Sequence, residues 1–227
     1  AQADNLTTAS TDAITFTLEA GATTADVLNS LDGKTSVTVG AQAITGITDS
    51  LADIHTARTS AGITTDTDYT ATVTDTLDEN AATNLNALAG ETAGVVTASV
   101  SNLTAAQADT FTTASTDAIT FTLEAGATTA DVLNSLDGKT SVTVGAQAIT
   151  GITDTLADIH TARTSAGITT DTDYTATVTD TLDENAATNL NALAAETSGK
   201  VTAAVSNLTA AQADTFTTAG TDDITFT

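Results

Sequence analysis

The sequence predicts an α/β fold, a tandem βα-repeat solenoid with a mostly parallel sheet and helices on one face. Three observations carry that expectation. The chain repeats itself without drift: Asp4, Asp109 and Asp214 open matching stretches 105 residues apart. Within one period, short alternating apolar and threonine runs are separated by Ala- and Leu-rich runs that begin with helix-capping residues. Two phrases inside the period, LNALAGET (Leu85–Thr92) and LNSLDGKT (Leu133–Thr140), align at an offset of 48. Each period is therefore itself a pair of cousins of about fifty residues, each reading strand, helix, strand, helix.

The period sets the domain organisation. Residues 1–108 form the first repeat, with 1–3 as a short overhang, 109–213 the second, and 214–227 the start of a third. Residues 4–108 and 109–213 differ at seven positions: Asn5/Thr110, Leu6/Phe111, Ser50/Thr155, Gly90/Ala195, Ala93/Ser198, Val95/Lys200 and Ser99/Ala204. Ala1–Asp4 match Ala106–Asp109, which lie in an expected helix. The sequence is thus expected to be cut from a longer array, or to be a mature segment with a truncated first helix.

The strands rest on alternation with period two. Ile14, Phe16 and Leu18 point one way while Thr15, Thr17 and Glu19 point the other. Val37/Val39 and Tyr69/Ala71/Val73 follow the same rule. One apolar face and one threonine face argue for cover on one side only, because a sheet covered on both faces reads as continuous Val and Ile runs. Pairs such as Thr72/Thr74 and Thr120/Thr122 would form threonine ladders on the open face.

The helices rest on end signals. In the second copy, Thr128 with Asp131, Thr155 with Asp158, Thr181 with Glu184 and Thr209 with Gln212 have capping-box spacing. Leu133/Leu136, Leu156/Ile159 and Leu190/Leu193 supply the apolar stripe. Gly138, Gly167 and Gly199 stand where helices should stop. Strands and helices alternating over short joints require parallel pairing through right-handed crossovers. The alternative is a pair of tandem all-β sandwiches, for which 105 residues is a suitable length. Against it stands the poor strand propensity of the Ala-rich capped runs.

Composition narrows the function classes. Twenty-nine acidic against five basic residues give a net charge of −24, which repels nucleic acid and anionic membrane surfaces. Such a charge attracts cations and suits a salty medium. A content of 41% hydrophobic residues argues against disorder, and no apolar run approaches a membrane span. Without cysteine there is neither a disulfide frame nor a thiol nucleophile.

Catalytic signatures are missing: no GxSxG, HExxH, P-loop or dinucleotide fingerprint occurs. His55 and His160 are the two imidazoles, and His160 aligns with Phe111 of the sister unit, so a packing role is expected rather than a general base beside Asp158 or Arg163. The chain is read as a non-enzyme. The candidate metal ligands are Asp66 and Asp68 in TTDTDYT, their copies Asp171 and Asp173, and Asp222/Asp223, since calcium takes several hard oxygens from a loop. Calcium is the one cofactor considered. Neither an EF-hand loop nor a GGxGxD nonapeptide is present. Asn5, Asn102 and Asn207 open N-glycosylation sequons, but Thr104 and Thr209 double as helix caps.

The stretch TVTDTLDENAATNLNALAAETSGKVTAAVSNLTAAQADTFTTA (residues 177–219) resembles the repeat regions of giant secreted surface proteins of cyanobacteria and related marine bacteria. The resemblance covers essentially the whole chain. It implies an adhesin-like or surface-layer-like stalk or coat, extracellular, often accompanied by calcium-binding repeats, though this chain lacks the Gly-Asp nonapeptide. The resulting expectation is a structural repeat protein of a filament, stalk or surface layer that self-associates. A calcium- or glycan-binding adhesin module is the alternative. Ile224 and Phe226 on the last strand, with Ile14 and Phe16 on the first, are the candidate assembly surface, because an unpaired strand edge invites another chain.

Overall fold

A computed structural model describes residues 5–227. The overhang 1–3 and Asp4 lie outside the described residues. The chain divides into two compact units, one running through Val100 and including Phe111–Ile119, the other made of Ser101–Thr110 and Thr120–Thr227.

In the first unit the chain runs β1 (Gly21–Thr24), α1 (Ala25–Asp32), β2 (Val39–Ala41), β3 (Ile44–Asp49), α2 (Leu51–Thr59), β4 (Ile63–Thr65), β5 (Thr70–Leu77), a 3-10 turn (Glu79–Ala81), α3 (Ala82–Glu91) and the start of β6 (Val96–Leu103). Strands β1, β3, β5 and β6 form one parallel ladder, and β2 with β4 a second. The register Thr23↔Ile47↔Ala71↔Val96 returns the chain to the ladder every 24 or 25 residues. We call one strand with its crossover a coil.

The second unit repeats this plan after α4 (Ala105–Ala108) and β7 (Ala118–Leu123): β8 (Gly126–Thr129), α5 (Ala130–Asp137), β9 (Val144–Ala146), β10 (Ile149–Asp154), α6 (Leu156–Thr164), β11 (Ile168–Thr170), β12 (Thr175–Leu182), α7 (Ala187–Glu196), β13 (Val201–Val205), α8 (Ala210–Ala213) and β14 (Asp223–Phe226). Its main ladder is β8-β10-β12-β13-β14, and β9 pairs with β11. The α/β class with parallel ladders is what the alternation predicted. The sandwich alternative fails because the Ala-rich runs are helices and the ladders are parallel, whereas a sandwich is antiparallel.

Burial follows the alternation. Tyr69, Ala71 and Val73 are buried, as are Ile119, Phe121 and Leu123 on β7. The alternate residues form ranks across the strands: Thr24–Thr48–Thr72–Thr97 in one unit and Thr129–Thr153–Thr177–Thr202 in the other. The helical stripes Leu133/Leu136, Leu156/Ile159 and Leu190/Leu193 are likewise buried, and α2 packs on β3 and β5.

Several local expectations are corrected. Thr155 and Thr209 cap α6 and α8 as read, but α5 is capped by Thr129, not Thr128, which lies in β8. Thr181 pairs with Ala204 inside β12, so the turn that follows is started by Asp183, whose side chain accepts from Asn185 N. Val37 does not share the buried side of Val39: it precedes β2 and is 37% exposed. In the first repeat Ile14–Leu18 forms only an isolated bridge, Thr17↔Gly40, where the second repeat has β7.

The glycine stops are a second correction. Gly138 does cap α5, but in ordinary right-handed conformation, and Gly167 and Gly199 stand beyond the caps Ser165 and Thr197. A Cβ on Gly199 would lie 2.2 Å from the Tyr174 carbonyl oxygen, so close approach of backbone requires glycine there. The backbone comes that near because Thr197, buried at 5% exposure, donates its hydroxyl to the same carbonyl and accepts from Gly199 N at 3.0 Å. Thr92 makes the same stitch to Tyr69 O, and Thr35 to Ile14 O at 2.7 Å. These threonines close the LNxLxGxT-like phrase that recurs along the sequence. Gly199→Ala is expected to cost about 1–3 kcal/mol, the range for an overpacked interior, read as a lowered urea midpoint; Gly90→Ala, in open space within α3 where the second repeat already carries Ala195, is the contrasting control and is expected to raise the midpoint slightly.

Candidate cation site and the arginine ion-pair network

Acidic residues favour the first turn of a helix, where unpaired N–H groups point outward. Adjacent coils bring two such turns together. Asp26 lies in the first turn of α1, Asp53 in that of α2, and Asp49 ends β3 between them. Asp49 Oδ2 accepts from Asp26 N at 3.0 Å and its Oδ1 from Ser50 N at 2.9 Å. Ser50 Oγ donates to Asp53 Oδ2 at 2.5 Å and accepts from Asp53 N at 3.2 Å. One oxygen from each carboxylate lies within 4.8 Å of the others, and Asp131, Asp154 and Asp158 repeat the arrangement.

The electrostatics match the geometry. Asp26 is exposed, yet its carboxyl is held above the ordinary range, first by Asp49, then by Asp53, with desolvation adding to both. Asp154 and Asp158 raise Asp131 in the same way. Three hard oxygens at this separation are the donor set that calcium takes, with water completing six to eight ligands.

The loop acids named from sequence stand elsewhere. Asp66 and Asp171 are exposed and accept from the next backbone N–H, of Thr67 and Thr172, at 2.8 and 2.7 Å. Asp68 and Asp173 are exposed beside them. None of the four belongs to a three-carboxylate group among the described residues. Asp222 is a bracket, accepting from Val201 N at 2.9 Å and Ala219 N at 2.8 Å. Asp223 sits on β14, 3.6 Å from Lys200 Nζ. The triads went unread because their members come from three elements. The available signal was the Asp that closes ITD at Asp49 and again VTD at Asp75, where it accepts from Leu51 N at 2.9 Å.

A second polar cluster recurs in both units. Arg58 donates to Glu91 Oε2 at 2.7 Å and to His55 Nδ1 at 3.0 Å, tying α2 to α3. Tyr69 OH lies 3.5 Å from Glu91 Oε1. Arg163, Glu196, His160 and Tyr174 repeat this at 2.7, 2.9 and 3.4 Å. Because guanidinium only donates, the imidazole accepts through Nδ1 and carries its proton on Nε2. His160 is half-buried, where the aligned Phe111 is fully buried, and its shown side-chain partner is Arg163 on the same helix. Asp158, the other partner considered for it, is bonded instead to Thr155.

Burial, and then the Glu91 charge, push the Tyr69 phenol up to about 12, although Arg58 acts in the opposite sense. Tyr174 moves the same way from the same causes. The sequon residues Asn102 and Asn207 are exposed in left-handed conformation, φ 57° and 60°. Thr104 and Thr209 form full capping boxes with Gln107 and Gln212, as read.

Two outcomes follow from these fields. Asp26 and Asp131 carry folded pKa values above their unfolded ones, so they favour folding below the unfolded value near 3.8 and lose that contribution as pH rises through the folded pKa. The double variant Asp26→Asn, Asp131→Asn is therefore expected to melt higher than the parent at pH 7, with the gap closing below pH 3.8. The chain has two tyrosines, so absorbance at 295 nm should stay flat past the usual phenol pKa of about 10. Ionisation near that value would contradict the burial argument.

No family model matches the chain, and neither does any curated protein or solved structure.

Proposed function

We propose that this chain is a segment of an extracellular structural repeat protein, a βα solenoid with helices on one face, whose near-identical repeats build a filament, stalk or surface layer without catalysis. The observation that carries the reading is the return of strands to a parallel ladder at a near-constant interval in both units, 24 or 25 residues over most of the register and 21 from β13 to β14. Such coils each bury a face on their neighbour, and stacking them adds length, not a new pocket. The strand ranks present the same threonine surface at a constant interval of about 4.8 Å per strand. A net charge of −24 favours a salty exterior and disfavours nucleic acid. No helix among the described residues is long and apolar enough to cross a membrane. The resemblance to giant surface proteins supports secretion and self-association, with surface glycans as contacts of the same exposed rows.

The acidic triads favour a second reading, calcium binding that screens the helix starts of adjacent coils. It relocates the cation from Asp66, Asp68, Asp171 and Asp173 to Asp26/Asp49/Asp53 and Asp131/Asp154/Asp158.

Negative-stain microscopy across salt, with and without chelator, tests both. Ordered fibres or sheets are expected; dispersed monomers under every condition would overturn the assembling role. For calcium, a saturable heat by calorimetry that Asp49→Asn with Asp154→Asn weakens at least tenfold is expected, and no heat up to millimolar ion would exclude it.

A further inference from the structure

Near-identical repeats pose a pairing problem, because a strand of one copy fits the ladder of another almost as well as its own. Two ladders in this chain receive a strand from the repeat that follows: β7 lies beside β6, and β14 beside β13. The same bracket fastens each incoming strand. Asp117, 3% exposed, accepts from Val96 N and Ala114 N at 2.9 Å each, and Asp222 accepts from Val201 N at 2.9 Å and Ala219 N at 2.8 Å. The segments that bring these strands, 109–122 and 214–227, differ at two positions, Ser115/Gly220 and Ala118/Asp223. The receiving stretches 93–103 and 198–208 differ at three, Ala93/Ser198, Val95/Lys200 and Ser99/Ala204. A preference of either strand for its own ladder has these five places to draw on.

Charge singles out two of them. Four of the five basic residues are matched between repeats, Lys34 with Lys139 and Arg58 with Arg163, whereas Lys200 has Val95 as its counterpart. Among the acidic residues Asp223 alone is unmatched, with Ala13 and Ala118 in its place in the earlier repeats. The unmatched base and the unmatched acid are neighbours: Lys200 Nζ lies 3.6 Å from Asp223 Oδ2, and Asp223 is the partner of Thr202 in the ladder. The Asp117 bracket sets Ala118 in the equivalent place beside β6, where Val95 is 41% exposed. The two positions therefore change together, from two apolar residues at one junction to an ion pair at the other.

We propose that Val95 with Ala118 and Lys200 with Asp223 are matching residues that assign each incoming strand to its own ladder. A strand on the wrong ladder brings the Asp223 carboxylate beside Val95, or leaves Lys200 beside Ala118 without its ion pair. The pair is exposed, Lys200 by 53% and Asp223 by 66%, so its worth is small, up to about fivefold in a pairing equilibrium. A factor of that size decides here because the competing strands are otherwise nearly the same. Added salt screens the charges and weakens the preference. The matching acts while the chain folds, and it is independent of any assembly of copies.

The test exchanges these residues at constant composition. A first variant carries Val95→Lys and Lys200→Val, which mismatches both junctions. A second adds Ala118→Asp and Asp223→Ala, which restores matching with the junctions interchanged. The chain has no cysteine, so Ser99→Cys with Thr225→Cys reports mispairing in the parent and in both variants. Ala204 and Thr225 are ladder partners, and Ser99 therefore meets Thr225 when β14 sits on β6, close enough for a disulfide. After refolding from urea under mild oxidation at low salt, the linked fraction, within a chain or between two, is expected to rise at least twofold in the first variant. It should return to the parent level in the second, and all three should converge in about 1 M salt. A first variant that fails to refold while the second refolds like the parent would equally support the matching. Equal linkage in the parent and the first variant overturns it, as does a second variant that does not reverse the first.

Discussion

A parallel strand cannot hydrogen-bond to its predecessor until the chain has crossed back over the sheet, and in this protein a strand and its crossover together take 24 or 25 residues from β1 to β6. That length is the constraint from which the rest follows. It leaves room for one short helix, so α1, α2, α5 and α6 are eight or nine residues long, too short to be stable alone. Their apolar stripe must bury against the ladder, which is why Leu28, Leu31, Leu133 and Leu136 reach 0% exposure. With almost no large aromatic side chains available, packing uses Ala, Val, Leu and Ile in thin layers, and polar stitches supply the specificity that jigsaw packing would otherwise give.

Those stitches account for part of the acid content. Asp49, Asp75, Asp117 and Asp222 each accept a backbone N–H from another element, so these charges are structural. Helix starts tolerate it because their N–H groups and dipoles favour anions. The result is a row of carboxylates at one end of the helices, closest together in the two triads. Structural capping and cation affinity are thus the same arrangement seen from inside and from outside.

The fold class was legible because alternation and capping are local properties: Tyr69, Ala71 and Val73 point inward because the period of a strand is two, whatever surrounds them. Misplacements came where tertiary contact decides. Thr181 has the spacing of a helix cap but is drawn into β12 by pairing with Ala204. Gly199 looks like a helix stop, yet it is glycine because the Tyr174 carbonyl approaches it. The triads were illegible for a related reason, since Asp26, Asp49 and Asp53 meet only once the crossover length places α1 beside α2. Asp66 and Asp68, two positions apart in sequence, look paired on paper, yet both are exposed and stand outside the triads.

The direction of the stitches has a consequence for how the chain is made. Asp49 closes the start of α1, Asp75 the start of α2, and Thr92 the carbonyl of Tyr69; in each case the later residue completes the earlier coil. A coil emerging from the ribosome therefore stays open at its helix start until its successor arrives, and it matures one step behind synthesis. Two near-identical repeats on one nascent chain offer the same unpaired helix-start N–H donors twice.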